Sequence, residues 1–380
     1  MLTNPPRGGR LRRSTAAVWR FAAAAVRRLW QAFCLLILLS VAASVPVLQL
    51  ATLGYLLECG GRVARGERWR RCLPGLPLAG RIGTAALWVA VTAVPMLIAR
   101  DLAASTDLIA AGSPQARLWR IAAAAVGILW VVNSWWAMLR GGRWYHFVWP
   151  APKRFFGEFF RGRTWLAASD ALTDAIRSLR LLHLLRLGFF GALGCLLYLV
   201  IPGGLMIAGI RADGGGGARG LFTLLGVLPM LLVLQYVPFL QLRYAKENRF
   251  GAFFEIAAVR AGFRRAPWLH AVAVVWLVAA SLPLYLLRIE RPPDQLIWSV
   301  CVFFVLFGLP TKLLVGWAVR YADSREAQRA WYNRWPAWLL QLTAWPVYIL
   351  FLYLASLASW DGSAVIVVQH AFLVPVPFLP

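Results

Sequence analysis

The residues that could do chemistry in this chain are few and scattered. His146, His183, His270 and His370 stand far apart, and the cysteines Cys34, Cys59, Cys72, Cys195 and Cys301 include no CxxC pair. A zinc site needs ligands separated by roughly two to four residues, and a disulfide framework needs dense pairing, so neither is signalled. HExxH and GxSxG are absent, and no carboxylate stands in a recognisable relation to a histidine and a nucleophile. Gly215, Gly217 and Gly220 satisfy GxGxxG within RADGGGGARG. That fingerprint binds a dinucleotide only between a strand and a soluble helix; here it joins two apolar stretches and reads as a flexible turn. None of the three lysines follows the glycine spacing of a phosphate-binding loop. The expectation is no enzyme, with no catalytic, cofactor-binding or metal residues.

The elements that would position any site are apolar. Of 380 residues, 60% belong to the set AVILMFWYC and 14% are charged, against about 45–50% and about 25% in an ordinary soluble domain. A soluble globular enzyme and a disordered chain are both excluded. Uncharged stretches run over 29–57, 82–99, 121–139, 187–210, 220–242, 266–287, 295–311 and 335–360. Each is near or above the roughly 17 to 25 residues that carry a helix across a bilayer. Backbone groups in lipid must be satisfied within each segment, so the expected fold is all-α, a polytopic helical membrane bundle.

Charge orders the segments. Forty Lys and Arg against fifteen Asp and Glu give +25, and only Lys153, Lys246 and Lys312 are lysines. Segments 58–81, 140–186, 243–265 and 312–334 hold twenty-six of the basic residues, whereas 100–120, 211–219, 288–294 and the C-terminal tail hold seven. Cytoplasmic loops concentrate basic residues, so the first group is expected inside, and the C-terminus outside, a bacterial cytoplasmic membrane. The N-terminal tail is also basic, with seven arginines before residue 29. Both flanks of 29–57 stay inside if that stretch is a re-entrant hairpin bent at Pro46; a single tilted span would put one flank outside. The hairpin is the preferred reading, giving about seven full spans besides it. The apolar run continues past Ala42-Ala43-Ser44 to Leu57, so cleavage as a signal peptide is not expected. The chain then divides into a basic N-terminal segment 1–28, a first membrane half 29–139, interfacial helices 140–186, a second membrane half 187–360 and an extracytoplasmic tail 361–380.

An internal repeat is indicated by LWVAVTAVPMLIAR at 87–100 and VWLVAASLPLYLLR at 275–288, which align Trp88 with Trp276, Pro95 with Pro283 and Arg100 with Arg288. Residues Gly54-Tyr55-Leu56-Leu57, followed by Arg62, Val63 and Arg65 before the Leu73-Pro74 turn, carry a resemblance. Over about residues 30–100, with a looser echo at 229–288, the chain resembles bacterial multi-pass membrane families catalogued as domains of unknown function. The resemblance implies a membrane bundle and brings no catalytic residues.

Two sets of side chains are candidates for function. Gln49, Asn133, Gln235 and Lys312 are polar groups inside or at the ends of spans, where hydrogen bonds between helices or a transport site would use them. Lys312 lies near two turns from Arg320 and is expected to snorkel to the interface. Arg140, Arg143, Arg177 and Arg180 are expected to face lipid headgroups, the first two beside a tryptophan-rich belt around Trp135, Trp136, Trp144 and Trp149. Arg177 and Arg180 lie on an amphipathic segment over 164–186. The bilayer and its anionic phospholipids are the expected partners, with a protein partner on the cytoplasmic face and no nucleic acid. A non-enzymatic scaffold or accessory subunit is the preferred function; the alternative is a permease-like transporter with its site at the repeat interface.

Overall fold

The structure, a computed structural model, describes residues 8–151, 155, 157, 163–211, 216–286, 293, 297–326, 331–358, 362–364, 366, 370 and 372–374. The described residues are helical throughout their ordered elements, with no strand. Eight of their helical segments are long and apolar enough to cross a membrane. The chain is an all-α polytopic membrane bundle, and its surface gives the physical reason. Leu87, Ile98, Ile128, Ile201 and Leu350 are roughly half exposed or more, and a continuous apolar surface of this kind is stable only where lipid covers it.

Two compact units form. One takes residues 1–38 and 75–179, the other 39–74 and 180–380. The first unit contains most of α1 (Gly8–Ala43), then α4 (Leu76–Ile109), α5 (Pro114–Leu139), α6 (Trp144–Val148) and α7 (Arg163–Leu179). Helices α4 and α5 pair through a tight turn at Gly112, whose φ of 80° is open to glycine. The next helix starts at Ser113, whose hydroxyl accepts from the Ala116 amide at 3.1 Å, with Pro114 at its first position. Trp130 Nε1 donates to the Val89 carbonyl at 3.2 Å and Trp30 Nε1 to Thr84 Oγ1 at 2.9 Å, tying α5 and α1 to α4.

The second unit is built around α2 (Leu48–Ala64), nearly every residue of which is buried from Ala51 to Ala64. Around it lie α8 (Leu181–Arg211), α9 (Gly216–Glu247), α11 (Pro267–Leu286), α12 (Ile297–Asp323) and α13 (Trp331–Ala358). The short α3 (Trp69–Cys72) and α10 (Ile256–Arg265) sit between them in sequence. Glycines let the backbones meet. A Cβ on Gly54 would stand 1.9 Å from the Leu184 carbonyl oxygen, and one on Gly188 would stand 1.8 Å from that of Leu50. A Cβ on Gly60 would lie 2.6 Å from the Lys312 carbonyl, one on Gly316 2.3 Å from that of Gly60, and one on Gly61 2.6 Å from that of Ala245. Apolar helices in lipid gain little from hydrophobic burial against one another, so such close approach is what holds α2 to α8, α9 and α12.

The stretch 29–57 bends where expected, with α1 ending at Ala43 and α2 starting at Leu48 around Pro46. Thr52 Oγ1 donates to the Leu39 carbonyl at 3.3 Å, linking residues equally distant from the turn, as in a hairpin. Its legs differ from the expectation in length. The basic tail is already helical from Gly8, and α2 runs past the last uncharged residue to Ala64. At 1.5 Å per residue the 17 residues of α2 reach about 25 Å, close to a full bilayer core rather than a shallow re-entry.

Candidate functional site

Lys312 is the residue where sequence and structure part. It does not snorkel: it is 2% exposed in the middle of α12, about 16 Å along the helix from Asp323. Its Nζ donates to Gln241 Oε1 on α9 and, at 2.6 Å, to the carbonyl of Phe372. Gln241 Nε2 completes the network by donating to the Leu373 carbonyl at 2.7 Å and the Gly191 carbonyl at 3.1 Å. The distance to Arg320 along one helix predicts snorkelling; the neighbours that surround Lys312 instead come from α9 and from sixty residues downstream.

Those downstream partners belong to segment 361–380, expected as an extracytoplasmic tail. Among its described residues, Ile366, His370, Phe372, Leu373 and Val374 are buried. His370 Nδ1 shares a hydrogen bond of 2.7 Å with the Tyr348 hydroxyl, and its Nε2 lies 2.9 Å from the Ile366 carbonyl. Tyr348 stands ten residues, about 15 Å, before the end of α13, so the chain leaves α13 and returns into the bundle to that depth. The void beside Phe372, Ser281 and Thr311 measures about 10 Å³, at the lower limit for one water molecule.

The other candidates do not join this network. Gln49 is half-buried at the start of α2. Asn133 belongs to the first unit, where its Nδ2 donates to the Phe147 carbonyl at 2.8 Å. Gln235 bonds through Nε2 to Gln341 and accepts from Trp345 Nε1 at 2.7 Å. Arg140 is half-buried: its Nη2 donates to the carbonyls of His146 at 2.6 Å and Trp149 at 3.0 Å, and its guanidinium lies over the Trp136 ring. That arrangement closes the turn after α5. Arg143 is exposed and donates to the Tyr145 hydroxyl at 2.9 Å. Arg177 and Arg180 are exposed, with Arg180 at φ 48° between α7 and α8. Lys153, Arg154 and Gly215 lie outside the described residues, whereas Gly217 and Gly220 form the first turns of α9.

A second polar cluster has no signal in the uncharged stretches, because each of these ends at its first charge. Glu58, 5% exposed within α2, accepts from Arg62 Nε at 2.7 Å and Arg65 Nη2 at 3.2 Å, and His183 Nε2 of α8 lies 3.6 Å away. Arg62 also donates to the Arg71 carbonyl at 2.9 Å, and Arg65 to the Ala245 carbonyl at 3.0 Å near the end of α9. Lys246 pairs with Asp323 at 2.6 Å. Arg243 pairs with Glu247 at 2.9 Å and Glu255 at 2.7 Å, while Arg249 bonds both acids. The hydrogen bond from Arg243, helped by Arg249, holds the Glu255 carboxyl below the ordinary range. This contribution is therefore present above the usual carboxylate pKa and lost as acid protonates the folded form. The C-terminal ends of α2, α9 and α12 and the first turn of α8 thus lie on one face of the second unit. Gly54, Tyr55, Arg62 and Arg65 are part of this framework: Gly54 makes a helix crossing, Tyr55 donates to the Pro74 carbonyl at 2.8 Å, and Arg62 and Arg65 clasp Glu58.

Among the described residues no three His, Cys, Asp or Glu side chains gather with metal-binding geometry. Comparison with protein-family models, curated protein sequences and solved structures gives no match for this chain.

Proposed function

We propose that this integral membrane protein is a non-enzymatic scaffold or accessory subunit of a bacterial cytoplasmic membrane, akin to the uncharacterised multi-pass families it resembles. The face that gathers Glu58, Arg62, Arg65, Lys246 and Asp323 is cytoplasmic, and its arginines bind anionic phospholipid. Helices α4 and α11 are counterparts in an internal repeat, each with its proline, Pro95 or Pro283, in the second half of the helix; Arg288 lies outside the described residues.

The observation that carries this reading is the state of Lys312. A transport site needs its ionisable group to meet water or substrate in a midplane cavity. Here the ammonium is occupied by Gln241 and a backbone carbonyl, and Lys312 is 2% exposed. Purification in mild detergent, with identification of what accompanies the protein, tests the proposal. It expects anionic phospholipid enriched over its share of the membrane and a protein partner in fixed ratio. Solute flux through reconstituted vesicles, with no such partner, would favour the permease instead.

A further inference from the structure

A cleft of about 470 Å³ opens in the second unit between α9, α10 and the first three turns of α13. Its composition changes with depth. Arg260 and Arg264, one turn apart on α10, and Arg334 on α13 line it together with the indoles of Trp331, Trp335 and Trp338. Arg260 also lies over the Tyr236 ring, 6.0 Å from its centre. Deeper, Gln235 and Gln341 bond to each other, and Gln341 Nε2 reaches the Pro267 carbonyl at 3.4 Å. Trp345 occupies the remaining acceptor of Gln235. Each polar atom of the two floor amides thus has a partner within the protein.

The mouth is different. Arg243 and Arg249, just before α10, are neutralised by Glu247 and Glu255, but among the described residues no carboxylate lies within ion-pair reach of Arg260 or Arg264. From Trp331 to Gln341 the cleft runs about 15 Å along α13, from a residue 70% exposed to one 2% exposed. Cations at the mouth, indoles along the wall and floor amides already bonded to one another match a molecule with an anionic head and a hydrocarbon body.

We propose that this cleft is a specific site for one anionic phospholipid, its phosphate held by Arg260 and Arg264 with Arg334 alongside, and an acyl chain lying against Trp335 and Trp338. This deepens the lipid-binding reading above and rests on it, adding a discrete site to a distributed field. Guanidinium forks suit phosphate oxygens, and the volume falls within the usual range of about 300–1,000 Å³ for ligand pockets.

Native mass spectrometry of the full chain, released from mild detergent and titrated with phosphatidylglycerol or phosphatidylcholine, tests it. The first phosphatidylglycerol should bind at least about tenfold tighter than the first phosphatidylcholine. Joint Arg260→Gln and Arg264→Gln should weaken that first event about thirtyfold, roughly fivefold for each charge, while Arg117→Gln with Arg120→Gln on α5 leaves it unchanged. Both pairs are on exposed helical surface, and an unaltered unfolding midpoint confirms that each variant is folded. Inorganic phosphate at the same concentration should not displace the lipid; displacement would mean a free-anion site and would overturn the proposal. Anionic preference that persists undiminished in the Arg260/Arg264 variant would overturn the discrete site and leave the distributed field standing. Equal binding of both lipids by the unaltered protein would remove the field as well.

Discussion

Lys312 shows why a single buried cation depends on its acceptors. With the ammonium removed, Gln241 Oε1 and the Phe372 carbonyl lose their donor among buried residues. An orphaned buried polar group costs about 1–3 kcal/mol. Lys312→Ala should therefore lower the stability of the detergent-solubilised protein by at least that much, read as a fall in its unfolding midpoint; an unchanged midpoint would mean the contacts are idle. Glycine packing gives a second test at this scale. Gly54→Ala and Gly188→Ala each drive a methyl group into a backbone carbonyl that cannot move aside as a side chain would. Overpacking costs about 1–3 kcal/mol even where side chains relax, so both variants should lose monodisperse protein on size exclusion. Gly204→Ala on the same helix α8 meets nothing within 4 Å and should be neutral or slightly stabilising. Sequence reading identified Lys312 as the ionisable residue to watch, yet missed its environment. Partners on α9 and in the tail are long-range, and no local spacing announces them. Glu58 was missed for a simpler reason: a boundary placed at the first charge assumes that charge marks the membrane edge, whereas Arg62 and Arg65 neutralise it one and two turns later within the same helical run.

Among the elements, the long apolar helices were legible because lipid imposes both length and composition on them, and each uncharged stretch from 82–99 onward lies within or largely along one helix. The break at Pro46 was legible for the same local reason. Two elements were not. The helix α2 reads as half of a shallow hairpin because its final residues are charged, although it is the most enclosed helix of the second unit. Counting basic residues assigns the tail a side and says nothing of its packing, but residues 364–380 also lack any charge and are rich in Val, Phe and Leu. That apolar character was the available signal for burial. If the tail is the lid of the Lys312 network, ending the chain after Trp360 should expose that network to water. The shortened protein should unfold at a lower temperature, and Cys195, buried beside this core on α8, should become reactive toward a membrane-permeant thiol reagent. Equal stability and continued protection of Cys195 would show that the tail is dispensable.

For the whole molecule, the proposed function requires that the basic segments all lie on one side of the membrane. The helix ends gathered around Glu58, Lys246 and Asp323 belong to segments rich in arginine, and the turn between α4 and α5 belongs to a poor one. Charge counting was enough to propose this grouping, because basic residues resist translocation wherever they occur in short loops. All five native cysteines are buried, so single introduced cysteines report cleanly on sidedness. The most direct measurement is labelling of intact and permeabilised cells with an impermeant thiol reagent, using Arg10→Cys, Arg68→Cys, Phe254→Cys, Ser324→Cys and Ala111→Cys. The account predicts that the first four react only after permeabilisation and that position 111 reacts in intact cells. Labelling of position 10, 68, 254 or 324 from outside, or protection of position 111, would contradict the single cytoplasmic basic face on which the proposed function rests.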